Sequence, residues 1–145
     1  MLEVYKVKDL DLYELNNFCE TNKIKIYDEI PFVFIIKNNS KIIGMCEVLL
    51  NKVATKALIY QIFIEDQERN NGSGELLMRS VLNFLETEGI YECYSTCDHE
   101  SSKFFEKLLF TKTDEFPSCF NEFCNNSTYT VNLREYFNHP CKNRK

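Results

Sequence analysis

Apolar and polar positions follow two rhythms along this chain, one of strands and one of helices. Residues 2–7 are rich in Leu, Val and Tyr and predict a first strand. Leu12, Leu15 and Phe18, with Cys19, then recur at helical spacing. Asp9 or Asp11 is the expected cap, because an Asp carboxylate accepts the free N–H groups of a first turn. Asn22 and Lys23 end this helix, and residues 24–30 keep no clear period. Pro31 opens a run of strand formers over 32–36, Asn38, Asn39 and Ser40 supply a turn, and 41–50 return as the partner strand of a hairpin. The chain turns again over 51–56, and 57–64 form a fourth strand. A charged turn, Glu65-Asp66-Gln67-Glu68, leads to Arg69-Asn70-Asn71-Gly72-Ser73-Gly74 and to a helix starting at Glu75. Leu77, Val81, Phe84 and Leu85 mark its buried face, flanked by Met78 and Leu82, with Arg79, Asn83 and Glu86 toward solvent. Gly89 suits the left-handed residue that closes such a helix. A strand over 91–97, a short helix over 101–108, a strand over 110–116, a loop over 117–127 and a last strand over 128–133 complete the pattern. The fold class is therefore α/β (α+β), with six to seven strands and three to four helices. One domain covers residues 1–133, and a polar, basic, fraying tail covers 134–145.

Composition narrows the setting. The 145 residues, 44% of them hydrophobic, suit one core. Met1-Leu2-Glu3 has the wrong chemistry for a leader, and the apolar run over 30–36 is far too short to span a bilayer, so the expected address is cytoplasmic with no membrane partner. Seven cysteines, an odd number, then read as reduced thiols and small buried hydrophobes. A net charge of −5 argues against a nucleic acid partner and fits a cationic small acceptor. No metal is expected. Cys119 and Cys124 stand at the wide end of zinc-ligand spacing, and His139 with Cys141 is not a usual ligand pair. His99 and His139 read as surface residues, and Cys97 as a strand end rather than a nucleophile activated by His99.

Strand, glycine loop and helix together build an anion site. The first N–H groups of a helix lack intrahelical partners, the macrodipole adds partial positive charge, and glycines let the backbone approach a ligand. A P-loop is excluded, since Gly74 is followed by Glu75-Leu76 instead of Lys-Ser/Thr. A dinucleotide fingerprint is excluded because its third glycine would fall on Leu77. The remaining pattern, Arg/Gln-x-x-Gly-x-Gly/Ala, resembles motif A of the GNAT superfamily of N-acetyltransferases. Ile42-Ile43-Gly44 is similar to the third strand of that family. A second signature, Asn-x-x-Ala-x-x-Phe/Leu-Tyr-Glu-Lys-x-Gly-Phe, is similar to the stretch from Asp98 onward. Phe104, Glu106, Lys107 and Phe110 match it, and Ser101 is a small residue in place of Ala. Asp98 replaces Asn, Phe105 replaces Tyr and Leu109 replaces Gly.

The resemblance implies a GNAT fold, a mixed and mostly antiparallel six- to seven-stranded sheet whose fourth and fifth strands splay apart. It implies acetyl-CoA as co-substrate and a small-molecule or peptide amine as acceptor, with homodimers common in the superfamily. The backbone of Ile62, Phe63 and Ile64 would bond the pantetheine arm like an added strand. The N–H groups of Asn70, Asn71, Gly72, Ser73, Gly74 and Glu75 would hold the pyrophosphate. Asp98 and Phe105 would lie beside the thiol. Arg69, Lys103 or Lys107 would meet the 3′-phosphate, with a solvated face as the alternative for each.

The implied reaction is direct attack of an amine on the thioester. An alkylammonium of pKa ~10.4 is free amine in about one molecule in two thousand at pH 7, so deprotonation costs roughly 4.6 kcal/mol. Leu58 stands where some relatives carry a glutamate base. Leu58, Tyr60 and Ile62 share a strand face that the family's geometry turns toward the acceptor, and Tyr60 is its polar member. Glu47 is a second candidate base, with an exposed surface carboxylate as the alternative reading. Phe105 cannot protonate the departing thiolate as a tyrosine would. Tyr94 or water is then the acid, or the chain binds acyl-CoA without transfer, as a sensor or interaction module.

Overall fold

The computed structural model describes residues 1–27, 32–97, 102–123 and 127–138. Seven strands form one mixed sheet in the order β1-β2-β3-β4-β5-β7-β6. They are β1 (Leu2–Lys6), β2 (Phe32–Asn38), β3 (Lys41–Asn51), β4 (Lys56–Ile64), β5 (Glu92–Cys97), β6 (Thr111–Thr113) and β7 (Ser127–Asn132). Among the described residues there are four α-helices: α1 (Leu12–Thr21), α2 (Ser73–Thr87), α3 (Ser102–Lys107) and α4 (Leu133–Phe137). No helix among them is long and apolar enough to cross a membrane. The chain packs into two compact units, Met1–Leu49 with Tyr60–Val81, and Leu50–Ile59 with Leu82–Lys145.

In the first unit, β1 and β3 both pair antiparallel with β2. The β2–β3 hairpin turns on Asn39 and Ser40, both left-handed at φ 51° and 69°, the geometry that matches strand twist in a two-residue loop. Strand β3 is buried without interruption from Ile42 to Val48, so it shows no alternation: both of its faces are covered. Its core joins Ile35, Ile42 and Met45 with Leu15, Phe18 and Cys19 of α1.

Leu12 does not follow its expected face and is 45% exposed. Asp11 takes the inward position one residue earlier, only 1% exposed. Its carboxylate does not cap α1 either. It accepts from the Tyr5 hydroxyl at 3.0 Å, the Lys8 N–H at 3.0 Å and the Lys37 ammonium at 3.1 Å, and so ties β1, α1 and β2 together.

In the second unit, β4 and β5 run parallel from Lys56↔Glu92 to Ile59↔Ser95. Parallel neighbours require a crossover, and α2 supplies it. Strand β7 is antiparallel to both β5 and β6. The strand expected over 110–116 is reduced to the three residues of β6, and the loop expected over 117–127 contains a 3₁₀ segment, Ser118–Phe123. Arg134, where the fraying tail is expected to begin, is helical, and residues 139–145 of that tail lie outside the described residues. It lies in α4, where Asn132 caps the Glu135 N–H at 3.0 Å and Leu133 and Tyr136 are buried.

Helix α2 begins at Ser73, two residues before the expected start. Leu77, Met78, Val81, Leu82 and Leu85 are its fully buried residues, so Met78 and Leu82 are central and Phe84 is half-buried at the edge. Gly89, at φ 84°, closes it: the Ile90 N–H reaches the Leu85 carbonyl at 3.0 Å and the Gly89 N–H reaches Glu86 at 3.0 Å.

Candidate functional site

The glycine loop is anchored at both ends. Strand β4 ends at Ile64, and the Glu65 N–H donates to the Ile43 carbonyl at 2.9 Å. Gly44 permits this approach, since a Cβ there would stand 2.7 Å from the Phe63 carbonyl oxygen and 2.5 Å from Ile64 Cδ1. The 3₁₀ turn Asp66–Glu68 follows. Arg69 then reaches back: its Nε donates to the Ile64 carbonyl at 2.7 Å, Nη1 pairs with Asp66 at 3.0 Å, and the guanidinium lies over the Phe63 ring at 5.4 Å. The side chain expected to meet a 3′-phosphate is thus already engaged within its own loop.

Two left-handed residues, Asn70 at φ 63° and Gly72 at φ 88°, bring the chain into α2. Asn71 Oδ1 accepts from the Ser73 N–H at 3.1 Å and from its hydroxyl at 2.7 Å, and Ser73 is buried. The first intrahelical bond is Leu76 N–H to the Gly72 carbonyl at 3.0 Å, so helix geometry leaves the Gly74 N–H with no intrahelical acceptor. Asn70, Asn71 and Gly72 are exposed, and nothing lies within 4 Å of the place a Gly72 Cβ would occupy. The result is an open, positively polarised helix end with short side chains around it.

Ile62 and Phe63 are half-buried and Ile64 is buried. They lie beyond the last β4–β5 pair, Ile59↔Ser95. Phe63 meets Phe18 of α1 edge-on, with ring centres 5.9 Å apart.

Glu47 is not a surface carboxylate: it is fully buried on β3. It accepts from the Tyr27 N–H at 3.1 Å and from the Gln61 side-chain amide, which also donates to the Lys25 carbonyl at 2.9 Å. Burial pushes its carboxyl above the usual range, against the opposing pull of those two donors. The Tyr27 ring packs on Tyr60 with centres 5.6 Å apart. Tyr27 therefore joins the two candidate bases, through its N–H to one and its ring to the other. Sequence reasoning missed Gln61 and Tyr27. The available signal was a polar residue inside each of two apolar strands, Glu47 among Met45, Cys46 and Val48, and Gln61 between Tyr60 and Ile62.

In the second unit, Phe105 is 2% exposed and packs among Phe104, Phe110 and Tyr129, with ring centres 5.2 Å from Phe110 and 6.3 Å from Tyr129. Tyr94 is buried as well, opposite Thr130 in the β5–β7 register. Burial raises its phenol, the Glu92 charge adds to this, and a hydrogen bond with Thr130 opposes it. Thr130 and Tyr129 are neighbours on β7 and point to opposite faces. Tyr94 thus lies on the sheet face opposite Phe105 and does not supply a hydroxyl where Phe105 lacks one. Asp98, His99, Ser101, Cys124, His139 and Cys141 lie outside the described residues, and Cys119 is exposed. Lys103 and Lys107 are exposed on α3.

The fold is shared with solved structures of low sequence identity. A GNAT-family acetyltransferase from Staphylococcus aureus Mu50 is 19% identical, covering 92% of this chain and 99% of that one, with a TM-score of 0.75. A dodecameric spermidine N-acetyltransferase from Vibrio cholerae is 19% identical over 94% of this chain and 96% of that one, at 0.72. An N-acetylglutamate synthase from Neisseria gonorrhoeae, complexed with coenzyme A and L-arginine, is 15% identical over 91% of this chain but 33% of that one, at 0.74. No curated protein sequence matches the chain at a significant level. The family model for the acetyltransferase (GNAT) family, however, matches residues 2–110. That span runs from β1 through the glycine loop to the end of the second signature, and with it the chain belongs to the GNAT family of acetyltransferases.

Proposed function

We propose that this protein is an N-acetyltransferase that moves an acetyl group from acetyl-CoA to a primary amine, with both substrates bound together. One observation carries the reading: residues 69–75 expose a helix N-terminus behind a left-handed Gly72, on a chain of this family. Backbone N–H groups of Asn70, Asn71, Gly72, Gly74 and Glu75 take the pyrophosphate, while that of Ser73 is held by Asn71 Oδ1. The pantetheine arm adds to β4 along Ile62, Phe63 and Ile64. A backbone N–H of β4 polarises the thioester carbonyl as the amine attacks. The Neisseria relative, described as bound to coenzyme A, supports the cofactor, and the spermidine enzyme supports an amine acceptor.

A second reading, an acyl-CoA-binding module without transfer, is favoured by Phe105, a buried phenyl ring at the position of the family's tyrosine. A thiol of pKa ~8.5 leaves only about 2 kcal/mol to be met without a dedicated acid, so water suffices for the first reading.

Calorimetry with coenzyme A and a thiol-release assay across a panel of amines test both. Binding with release supports transfer, binding without release supports the silent module, and no binding at millimolar coenzyme A sinks both. Gly72→Glu is expected to remove binding, by placing bulk and negative charge in the phosphate site. Gly72→Asn, which tolerates a positive φ and adds no charge, is the control for backbone strain.

A further inference from the structure

We propose that a cavity where β5 and β6 begin and β7 ends is a second ligand site, for a small primary ammonium ion with an apolar body. All of its residues belong to the second unit, and none to the glycine loop. It stands or falls independently of the N-acetyltransferase reading.

The cavity has a volume of about 310 Å³, at the lower end of the range for small-molecule sites. Pairing with β7 sets Glu92 of β5 opposite Asn132 and Thr111 of β6 opposite Thr130. Residues opposite in register share a face, and 130 and 132 are two apart on one strand, so these four side chains make one polar floor. The Thr130 hydroxyl donates to the Cys93 carbonyl at 3.1 Å and is left as an acceptor. Glu135 stands beyond β7 on α4, where Asn132 holds its N–H at 3.0 Å. Leu109 and Tyr136 supply the apolar wall.

Charge selects the occupant. Two carboxylates line the cavity. Among the described residues, the cation in ion-pair contact with them is Lys56, 3.9 Å from Glu92 and at the limit of such a contact. The guanidinium of Arg134, next to Glu135 in the chain, is engaged over the Tyr91 ring at 5.9 Å instead. Hydroxyl and carboxylate oxygens accept the N–H bonds of an ammonium, and its charge meets the surplus of negative charge that repels an anion.

Leu109 shows, independently of charge, that the site holds something apolar. Among the described residues, six other than glycine have a positive φ, and Leu109, at 71°, is the one with an apolar side chain. The closure of α3 calls for glycine at this place, and a Cβ disfavours the left-handed conformation. A strained backbone position persists where the surrounding structure or the function demands the side chain it carries. Here that side chain, 37% exposed, lines the cavity. Glycine would relieve the backbone and remove the wall. The apolar body of the ligand is what covers the exposed part of the leucine.

The probes are 2-phenylethylamine and 3-phenylpropionate, alike in shape and opposite in charge. Amide chemical shifts in NMR titrations read affinity and location together. In the wild type the amine is expected to shift residues 109–111 and 130–136, and the carboxylate is expected to leave them in place. Glu92→Gln combined with Glu135→Gln should weaken amine binding about tenfold, roughly threefold for each exposed pair. Leu109→Gly should weaken it about fivefold through the lost apolar contact, while urea denaturation shows a protein at least as stable as wild type. A leucine present for packing alone would not lose binding while keeping stability. Shifts confined to other residues, equal binding of the two probes, wild-type affinity in Leu109→Gly, or a joint loss of stability and binding in that variant each overturn the proposal. If the double variant fails to fold, Glu135→Gln alone, on an exposed residue, is expected to weaken binding about threefold, and unchanged affinity there overturns the proposal as well. A blank titration with coenzyme A fails the N-acetyltransferase reading instead and leaves the amine result standing.

Discussion

Leu109 occupies the position where the family signature has glycine, and its backbone has kept the glycine conformation at φ 71°. The closing bonds of α3 repeat those of α2. The Phe110 N–H reaches Phe105 at 3.0 Å and the Leu109 N–H reaches Glu106 at 3.1 Å, as Ile90 and Gly89 do at the end of α2. The two rings bracketing the motif, Phe105 and Phe110, pack at 5.2 Å and hold the turn despite the strain. A left-handed conformation costs a residue with a Cβ roughly 1 kcal/mol. Leu109→Gly is therefore expected to raise stability by up to about 1 kcal/mol, less whatever the more flexible unfolded chain takes back. Urea denaturation checks this, and a clear loss of stability would mean that the Leu109 side chain, 37% exposed, contributes more packing than its exposure suggests.

At the scale of elements, the start of α1 is fixed by charge rather than by a cap. Asp11 is held by Tyr5, Lys8 and Lys37, and Lys37 also pairs with Glu14 at 3.6 Å, whose carboxylate accepts the Ile42 N–H at 2.8 Å. Burial alone would raise the Asp11 carboxyl, but the Lys8 N–H, Lys37 and Tyr5 together hold it below its ordinary value of 3.8. A lowered carboxyl adds stability that is complete above the unfolded pKa and is lost as pH falls through the folded one. Asp11→Asn should therefore destabilise the protein by about 2–3 kcal/mol at pH 7, because it leaves Lys37 poorly matched. Below about pH 3 the difference should shrink. Denaturant midpoints across pH read both effects. A gap between the two proteins that is constant in pH would show that the charge of Asp11 contributes nothing beyond its shape.

For the whole molecule, stability and coenzyme binding are linked. A ligand that binds the folded chain alone adds about 2.7 kcal/mol at a hundred times its Kd. For a chain of this length that is a rise in Tm of roughly 8–10 °C. Scanning calorimetry with coenzyme A is expected to show this rise in the wild type and to lose it in Gly72→Glu. A rise of equal size in that variant would locate the phosphate away from residues 70–75.

Much was legible in the sequence because it is written within a few residues. The Asn39-Ser40 hairpin, the Gly89 closure and the strand–loop–helix at Gly72 depend on local dihedrals and hydrogen bonds, which near neighbours determine. The family resemblance has the same origin, since its two signatures are contiguous stretches. The tertiary structure decided whatever joins distant residues. Glu47 lies 20 residues from Tyr27 and 14 from Gln61 along the chain, and its burial could not be told from surface exposure until the sheet aligned them. Asp11 looked like a helix cap until Lys37, 26 residues away, proved to be its partner. Tyr94 read as a source of the hydroxyl that Phe105 lacks until β5 and β7 paired and put the two on opposite faces. Periodicity tells which residues can share a face, but the face a charge is buried in, and the partner it finds there, are properties of the assembled sheet.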